Sequence, residues 1–336
     1  MVKTVALFQS KKQSRTAIII KDHVIRYVHA KRPEIEAIQS FGERYLPNGV
    51  IQAGQILDPS TLETILQQCI NDWGLKRHYT QFIVPNTYTV LRTVQVPLNV
   101  TKAEVKGHLY SVIGESLHLP FEEPTIDVYN LGERDGQRDI LLIAAPEKKV
   151  QQIYDLLENV KLKPNAADIS ALSYYRLYHA LDRDNKSDHF LFVQLDILKM
   201  NITIFHDQKP VFMRNIILGF EEENWQLIND VEEGIVWQGE EAELTGQIQD
   251  ILTEVERIMN FYRSTIHQGR LGVSKLIFTG DNPYVKVIAE QCEQSFDIPV
   301  ETVSDTVVET INGKTVPVRY HEVVGLALKK EVHDVS

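Results

Sequence analysis

The sequence contains very little cysteine and no long apolar run. Its 336 residues include two cysteines, Cys69 and Cys292, which are too few for a disulfide framework and lack the paired spacing of a zinc site. No window approaches the roughly 18 consecutive apolar residues of a membrane-spanning helix, and the apolar stretch within the first ten residues is too short for a signal peptide. These absences predict a protein of the reducing cytoplasm.

Positive charge is also scarce. The chain has 35 lysine and arginine residues against 46 aspartate and glutamate residues, which gives a formal net charge of -11 and a pI near 5.5. Because a nucleic-acid partner requires a basic surface that neutralises its phosphates, this charge balance argues against DNA or RNA binding.

The common catalytic motifs are missing as well. The chain has no GxxxxGKS or GxxxxGKT sequence, no GxGxxG, no HExxH and no close group of histidines and cysteines. Its 11 histidines are dispersed, and His23, His108 and His118 are interpreted as surface or hydrogen-bonded residues rather than as a catalytic set. No nucleophile can be paired with a base. We therefore predict no catalytic residue, no metal site and no enzymatic activity.

What the sequence does contain is a strand-rich stretch that occurs twice. Apolar runs over Phe190–Leu195 and Met200–Phe205 and a third run from Pro210 are separated by tight polar breaks, which predicts a three-stranded meander. A weaker copy lies about 175 residues upstream, where Thr16–Ile20 is followed by Val24–Val28. The chain therefore divides into two halves that each open with a hairpin, and the hairpin tips carry Asp22 and Asp196.

Helices and further strands follow each hairpin, so the pattern predicts an α/β protein with mixed sheets. In the first half, we predict a third strand over Glu34–Phe41, a helix that Ser60 caps and a helix from Thr101 to Leu119-Pro120-Phe121. These are followed by strands over Ile126–Leu131 and Ile140–Ala145, joined by the loop 132–136, and by helices over Pro146–Val160 and Asn165–Leu181. In the second half, we predict helices broken at Gly234 and Gly239, with a long one from Glu240, and a hairpin around Asn312-Gly313.

Several segments, taken in order, carry a family resemblance. They are VLRTVQVPLNVTKAEVKGHL from Val90, SLHLPFEEPTIDVYNL from Ser116, ILLIAAPEKKVQQIYDLLENVKLKPNAADISALS from Ile140, VERIMNFYR from Val255 and VVGLALKK from Val323. Together they resemble the PilM family, the actin-like, FtsA-related cytoplasmic proteins of type IV pilus and competence machineries. The similarity extends over essentially the whole chain.

This resemblance implies an actin-like (ribonuclease H-like) two-lobed fold with mixed sheets and an inserted subdomain. In the family's terms, subdomain 1A would comprise residues 1–96 and 163–188, and the inserted subdomain 1C would comprise 97–162. Subdomain 2A would comprise residues 189–220 and 272–336, and subdomain 2B would comprise 221–271.

The resemblance also implies a partner. Family members bind the short cytoplasmic N-terminal tail of PilN, a single-pass inner-membrane protein, in a groove between subdomains 1A and 1C. An extended tail can pair with a strand edge while its alternate side chains enter apolar pockets. The expected lining residues in this chain are Arg92, Val94, Pro97, Leu119, Pro120, Phe121 and Tyr129. An alternative interpretation gives Leu119, Pro120 and Phe121 a structural role only, in which they end a helix and fill the subdomain core.

Typical family members hold ATP with Mg²⁺ between their halves, and this sequence departs from the motifs that do so. The hairpin tips usually carry Asp-x-Gly, because glycine allows the backbone to approach phosphate closely. Here the first tip is Lys21-Asp22-His23, and the second has Leu198 two residues after Asp196. A Gly-Gly pair on the adenosine side becomes Gly280-Asp281. We therefore predict a degenerate nucleotide site without catalysis.

Alternatives remain at this point. Lys21 or Lys199 could meet a phosphate as a point charge, or both could be solvated turn lysines.

The chain as a whole could be a scaffold recruited to the inner face of the cell membrane by its partner's tail, a functional actin-like ATPase, or an FtsA-like filament-forming protein. A homo-oligomer is compatible with each of these.

Overall fold

The structure is a computed structural model that describes residues 15–227, 234–266, 268–303 and 307–330. The first ten residues, on which the prediction about a signal peptide rests, lie outside this range. The chain forms two compact units. The first contains the described residues up to Ala180, Val308–Val316 and those from Tyr320 onward, and the second contains those from Leu181 to Val307 and Pro317–Arg319.

The first unit alternates strands and helices. Its elements are β1 (Arg15–Ile20), β2 (Val24–Ala30), β3 (Ile38–Tyr45), β4 (Ile51–Gln52), β5 (Gln55–Ile56), α1 (Pro59–Asp72), β6 (Tyr79–Ile83), β7 (Val90–Pro97), α2 (Val105–Val112), β8 (Pro124–Arg134), β9 (Gln137–Pro146), α3 (Glu147–Asn159), β10 (Lys163–Asp168) and α4 (Ser170–Ala180).

The second unit repeats the pattern of strands. It contains β11 (His189–Leu195), β12 (Lys199–His206), β13 (Lys209–Ile217), β14 (Trp225–Leu227), β15 (Ile235–Trp237), α5 (Glu241–Phe261), β16 (Lys275–Gly280), α6 (Val285–Ser295) and β17 (Val300–Thr302), and the chain then returns to the first unit with α7 (His321–Ala327).

Each unit is built on a five-stranded sheet with the same connectivity. The strand orders are β10-β6-β1-β2-β3 and β13-β12-β11-β16-β17. In both sheets an antiparallel meander is extended by two parallel strands that pair beside its first strand. The repeat predicted from the two hairpins is therefore present as two matching mixed sheets.

The core of the first unit lies between its sheet and the helices α1 and α3. Leu62, Leu66 and Ile70 of α1 are fully buried in it, as the helical spacing of its apolar residues predicts. Burying each such side chain contributes roughly 1.5–3 kcal/mol. The helix cap differs from the prediction: Asp58 Oδ1 accepts from Thr61 N (3.0 Å), while Ser60 donates its hydroxyl to the same carboxylate (2.7 Å).

A smaller sheet with the order β7-β9-β8 is inserted between β6 and α3, and α2 covers one of its faces. Only half of the predicted capping box forms: Glu104 Oε2 accepts from both N (3.0 Å) and Oγ1 (2.7 Å) of Thr101, while Glu104 N donates to Thr101 O (3.0 Å) and not to the hydroxyl, and α2 begins at Val105. The helix ends at Val112 instead of near Leu119, since Ile113 is already extended. The β8–β9 connection is also tighter than the predicted loop 132–136 and consists of two residues with positive φ, Asp135-Gly136.

Two predicted helical regions are wrong in part. The first four residues of Asn165–Leu181 belong to strand β10, where Ala166 and Ala167 are fully buried beside β6, and the predicted helix begins only at Ser170 as α4. The described residues between Gly219 and Gly239 form the antiparallel strand pair β14 and β15 instead of helices, while the predicted long helix from Glu240 is present as α5. The two strands are held together by Trp225 and Trp237, whose ring centroids lie 5.2 Å apart.

Two smaller differences concern strand ends. A turn of 3₁₀-helix over Ile35–Ala37 precedes β3, so the third strand begins four residues later than predicted and extends to Tyr45. Around Asn312-Gly313 the predicted hairpin is reduced to one antiparallel bridge, Glu309 with Thr315, closed by a bond from Val316 N to Val308 O (2.9 Å).

Candidate functional site

The tip of the first hairpin, Lys21-Asp22-His23, is held by the backbone of its own unit. Asp22 Oδ1 accepts from Gly54 N (2.8 Å), and His23 O accepts from Leu46 N (2.8 Å). The Asp22 carboxylate therefore binds a backbone N–H group of the neighbouring loop. This bond occupies one of the carboxylate oxygens that a hydrated cation would need as a ligand or hydrogen-bond acceptor.

Lys21 is not the solvated turn lysine that the sequence suggested as one alternative. Its Nζ lies 2.7 Å from Glu322 Oε2 at the start of α7, and the two side chains are 11% and 2% exposed. The other oxygen of Glu322 accepts a hydrogen bond from Ser170 Oγ of α4. Glu322 thus links the hairpin tip to the helix that follows β10.

A second buried ion cluster lies at the end of β10. Asp168 Oδ2 accepts from Lys329 Nζ (3.0 Å) and from Arg176 Nη2 (2.8 Å), while its Oδ1 accepts from Ile169 N (2.9 Å). Burial acts to raise the pKa of Asp168, but the charges of Lys329 and Arg176 outweigh it and hold this pKa below its usual value. Burial lowers the pKa of Lys329, and the Asp168 charge opposes that change.

These two clusters place three cationic side chains, from Lys21, Arg176 and Lys329, against two carboxylates. Each carboxylate is already neutralised by an ammonium or guanidinium group of the chain itself. A carboxylate engaged in this way is a poor ligand for Mg²⁺, since the ion would have to displace a buried cation. Within the part of the chain that the structure describes, no group of three or more histidine, cysteine or acidic side chains could hold a metal ion.

The tip of the second hairpin, Asp196-Ile197-Leu198, forms a closed turn. Asp196 N donates to Lys199 O (2.8 Å), and Gln194 Nε2 donates to Asp196 Oδ2 (3.0 Å). Leu198 keeps a negative φ, so the backbone does not use the left-handed geometry that glycine would permit. Its carbonyl accepts from Leu218 N (2.9 Å), which fixes the tip against the end of β13.

The Gly280-Asp281 pair lies beside this second tip. Gly280 has φ of +119°, and a Cβ there would lie 2.0 Å from Leu195 O. Asn282, two residues after Gly280, donates from its backbone N to Leu195 O (3.0 Å) and from its side-chain Nδ2 to Asp196 O (3.4 Å). The structure therefore brings together the predicted residues Asp196, Gly280 and Asp281, as the resemblance implies.

Most of the predicted groove residues lie on one side of the inserted sheet. Arg92 Nη1 on β7 donates to His118 O (2.6 Å), which ties the segment before Leu119 to this strand. Val94, Leu119 and Phe121 are half-buried against the same apolar cluster under α2. Pro97, at the end of β7, and Pro120 are exposed.

Tyr129 is separate from this group. It lies on β8, the opposite edge strand, and pairs across the ladder with Leu141, whereas Val94 on β7 pairs with Ile140. Because side chains alternate along a strand, Tyr129 and Val94 project from opposite faces of the sheet. Asp127 shares the face of Tyr129, and burial raises the pKa of its carboxyl group.

Comparison with known proteins identifies the family. The model of a family described as type IV pilus assembly protein PilM matches residues 18–316. The chain belongs to the PilM family. Among curated proteins no sequence matches this chain. The structure describes no helix long and apolar enough to cross a membrane.

Solved structures share the fold of this PilM family member. A chain of the PilM-PilN type IV pilus biogenesis complex is 15% identical, with a TM-score of 0.73 over 95% of this chain and 98% of that one. Ethanolamine utilization protein EutJ from Carboxydothermus hydrogenoformans is 8% identical, with a TM-score of 0.52 over 96% of this chain and 92% of that one. The predicted family and the actin-like α/β fold are confirmed.

Proposed function

We propose that this PilM family member is a cytoplasmic scaffold of a type IV pilus or competence pseudopilus. It binds the short N-terminal tail of a PilN-like inner-membrane protein and is thereby held at the inner face of the membrane. The observation that carries the proposal is the outer edge of β7, since β7 ends the inserted sheet and no other described backbone segment pairs with that edge.

The chemistry of this edge suits an extended peptide. A peptide that adds a strand gains main-chain hydrogen bonds, and its alternate side chains reach the apolar surface beside the strand. Val94, Leu119 and Phe121 supply such a surface, and Arg92 holds the segment that contains the last two next to β7. The resemblance to PilM proteins, together with the PilN named in the similar complex, supports a PilN-like tail as the ligand.

The proposal includes a nucleotide site that has lost its function. The groups of the first hairpin that would approach a bound nucleotide are engaged elsewhere, Lys21 with Glu322 and Asp22 with Gly54. At the second hairpin Leu198 replaces glycine and Asp281 adds a carboxylate next to Gly280. A phosphate at the first tip would therefore meet a cation that is already neutralised, and a phosphate at the second tip would meet additional negative charge.

Calorimetric titration tests this function. We expect a synthetic N-terminal tail of the PilN-like protein to bind the purified chain, and Mg-ATP to give no binding heat. Leu119→Ser should weaken tail binding by about fivefold or more, because it removes apolar contact area. Tyr129→Ser is the matched control and should leave binding unchanged, since Tyr129 lies on the other edge strand.

Two results would overturn the proposal. Absence of tail binding to the folded chain would remove the partner assignment. Tight Mg-ATP binding with turnover would show that the altered tips still work, and the chain would then be the actin-like ATPase of the alternative hypothesis.

A further inference from the structure

Positive charge is concentrated at one end of the five-stranded sheet of the first unit. Thr16 on β1 pairs with Thr80 on β6 and with His29 on β2. Thr80 in turn pairs with Pro164 on β10, so the starts of β1, β6 and β10 are level with the end of β2. Five exposed cationic residues, which we call the basic end, lie at or next to these strand ends: Lys31, Lys76, Arg77, Lys161 and Lys163.

The cations of the basic end have no counter-charge of their own. Among the described residues, none of the five forms an ion pair, and the segments 76–80 and 161–164 contain no acidic residue. The loop after Lys31 contains Glu34 and Glu36, and Glu34 Oε2 lies 3.0 Å from Arg32 Nη2. In a chain with a net charge of -11, this end of the sheet therefore carries a local field of the opposite sign.

Two of these residues hold a left-handed backbone conformation. Arg77 has φ of +65° and Lys161 has φ of +68°, and Arg77 N donates to Lys161 O (2.7 Å). Lys161 lies just after the C-cap of α3, where glycine is the usual residue because a Cβ is disfavoured in this conformation. The dipoles of α1 and α3 favour cations near their C-termini, but they account neither for the left-handed backbone nor for Lys31. A role for the charge itself does account for them.

The segment before β1 continues the basic character. Residues 1–14 lie outside the described range, but they join the sheet at this end because they directly precede Arg15, the first residue of β1. Their sequence includes Lys3, Lys11 and Lys12 and no acidic residue.

We propose that the basic end is a docking surface for the anionic phospholipid headgroups of the membrane's inner face. The choice of a membrane rests on the proposed function, which already holds the chain at that face through its partner's tail. The five cations extend over the ends of four neighbouring strands, or roughly 14 Å at about 4.8 Å for each strand interval, which is too wide for one phosphate. Clusters of four to eight lysine and arginine residues bind anionic leaflets in this way.

The distribution of charge favours a membrane over a nucleic acid. A long polyanion would extend past the basic end and meet the excess negative charge of the rest of the chain. A membrane can be contacted by this end alone, and acidic residues more than about 8 Å from the surface are screened at physiological ionic strength. Because the tail already holds the chain near the lipid, a second and weaker contact is sufficient to increase retention.

Co-sedimentation with vesicles tests the surface without the partner. We expect the full chain to sediment with vesicles of phosphatidylglycerol and phosphatidylethanolamine. Raising NaCl from about 50 mM to about 500 mM should release it, since salt screens an electrostatic contact. Vesicles of phosphatidylcholine, which have no net charge, should not bind the chain.

The left-handed positions provide a variant that separates charge from folding. Arg77→Gly combined with Lys161→Gly should lower the vesicle partition coefficient by about twentyfold, at about fivefold for each cation. Its midpoint temperature of thermal unfolding should be equal to that of the native chain or higher, because glycine adopts a positive φ without strain. Lys102→Gln combined with Lys286→Gln is the matched control, since it removes the same charge from exposed positions elsewhere and should bind vesicles like the native chain.

A second variant repeats the test at positions with ordinary backbone conformation. Lys31→Gln combined with Lys76→Gln should reproduce the loss of vesicle binding. Both variants of the basic end should keep the native calorimetric affinity for the PilN-like tail. Loss of tail binding with vesicle binding retained would reject the proposed function and leave this surface in place.

Three results would overturn the membrane surface. The first is a native chain that does not bind anionic vesicles, or variants of the basic end that bind them as well as the native chain does. The second is tighter binding to a DNA duplex than to anionic vesicles, which would assign the basic end to a nucleic acid. The third is release by inorganic phosphate at an ionic strength where NaCl has no effect, which would indicate a site for a single phosphate group.

Discussion

Lys21 Nζ lies 2.7 Å from Glu322 Oε2, and both side chains are almost completely buried. The tip of the first hairpin is therefore coupled to α7 through an ion pair that water hardly reaches. If either partner is removed, the other remains as a buried charge without compensation, which is strongly destabilising.

Lys21→Met should lower the free energy of unfolding by about 3 kcal/mol, because it leaves Glu322 ionised and buried. Denaturant titration would measure the change. Lys148→Met is the control: Lys148 pairs with Glu123 at a similar distance (2.9 Å), but both side chains are largely exposed, so stability should hardly change. Equal effects of the two substitutions would contradict the assigned burial of the Lys21 pair.

Gly280→Ala should destabilise the second unit by about 2 kcal/mol or more, since it combines a positive φ with a Cβ placed against Leu195 O. Gly246→Ala is its counterpart. Gly246 lies within α5 with nothing near its Cβ position, so alanine there should stabilise the chain by about 0.5–1 kcal/mol. The midpoint temperatures of thermal unfolding of the two variants should therefore shift in opposite directions. An unchanged midpoint for Gly280→Ala would be inconsistent with the close approach of Gly280 to Leu195 O.

Acid should destabilise the first unit through His29 and His78. The Nδ1 atoms of both rings lie 3.0 Å from Thr16 Oγ1, and a hydroxyl can donate to only one of them while it accepts from the other. Burial, together with the nearby His78, lowers the pKa of His29, and burial lowers the pKa of His78.

Because the folded pKa values lie below the ordinary value of about 6.5, the unfolded chain binds more protons in this range. The two neutral histidines thus make their full contribution to the free energy of unfolding above about pH 6.5. This contribution is lost as the pH falls through their lower pKa values in the folded chain. Denaturant titrations across this range should show a weaker pH dependence for His78→Gln than for the native chain. His118→Gln, at an exposed position, should follow the native curve.

The native thiols should be unreactive while the chain is folded. Burial raises the pKa of Cys69 to about 11 and that of Cys292 to about 12, so little thiolate exists near neutral pH. Iodoacetamide should therefore modify both residues only after denaturation, as mass spectrometry would show. Modification of either residue in the native chain would indicate local opening of its core.

The regular part of the fold could be predicted because it depends on local patterns. The apolar runs on both sides of Asp22 and Asp196 predict two hairpins, and the structure has both of them in matching sheets. The apolar spacing of Leu62, Leu66 and Ile70 likewise predicts the buried face of α1. Strand β10 was missed because its residues have no strand preference of their own and are held in place by pairing with β6.

The candidate site could be predicted only in part. Asp196, Gly280 and Asp281 follow from the order of motifs and lie together in the structure. Glu322 and Lys329 were missed as partners of Lys21 and Asp168, because no spacing in the sequence links residues so far apart along the chain. Tyr129 was grouped with the β7 residues as part of one expected groove beside the junction of subdomains 1A and 1C, although alternation along β8 directs it to the other face.

The first unit is completed by the last part of the chain. Helix α7 packs on β1, β2 and α4, and Lys329 reaches Asp168 over a separation of 161 residues. During synthesis on the ribosome, the second unit therefore emerges in full before the first can close. We expect the N-terminal part to remain a sheet without its α7 cover, and with Asp168 unpaired by Lys329, until residues 320–330 appear. Truncation just before α7 should consequently expose the first unit to proteolysis and spare the second.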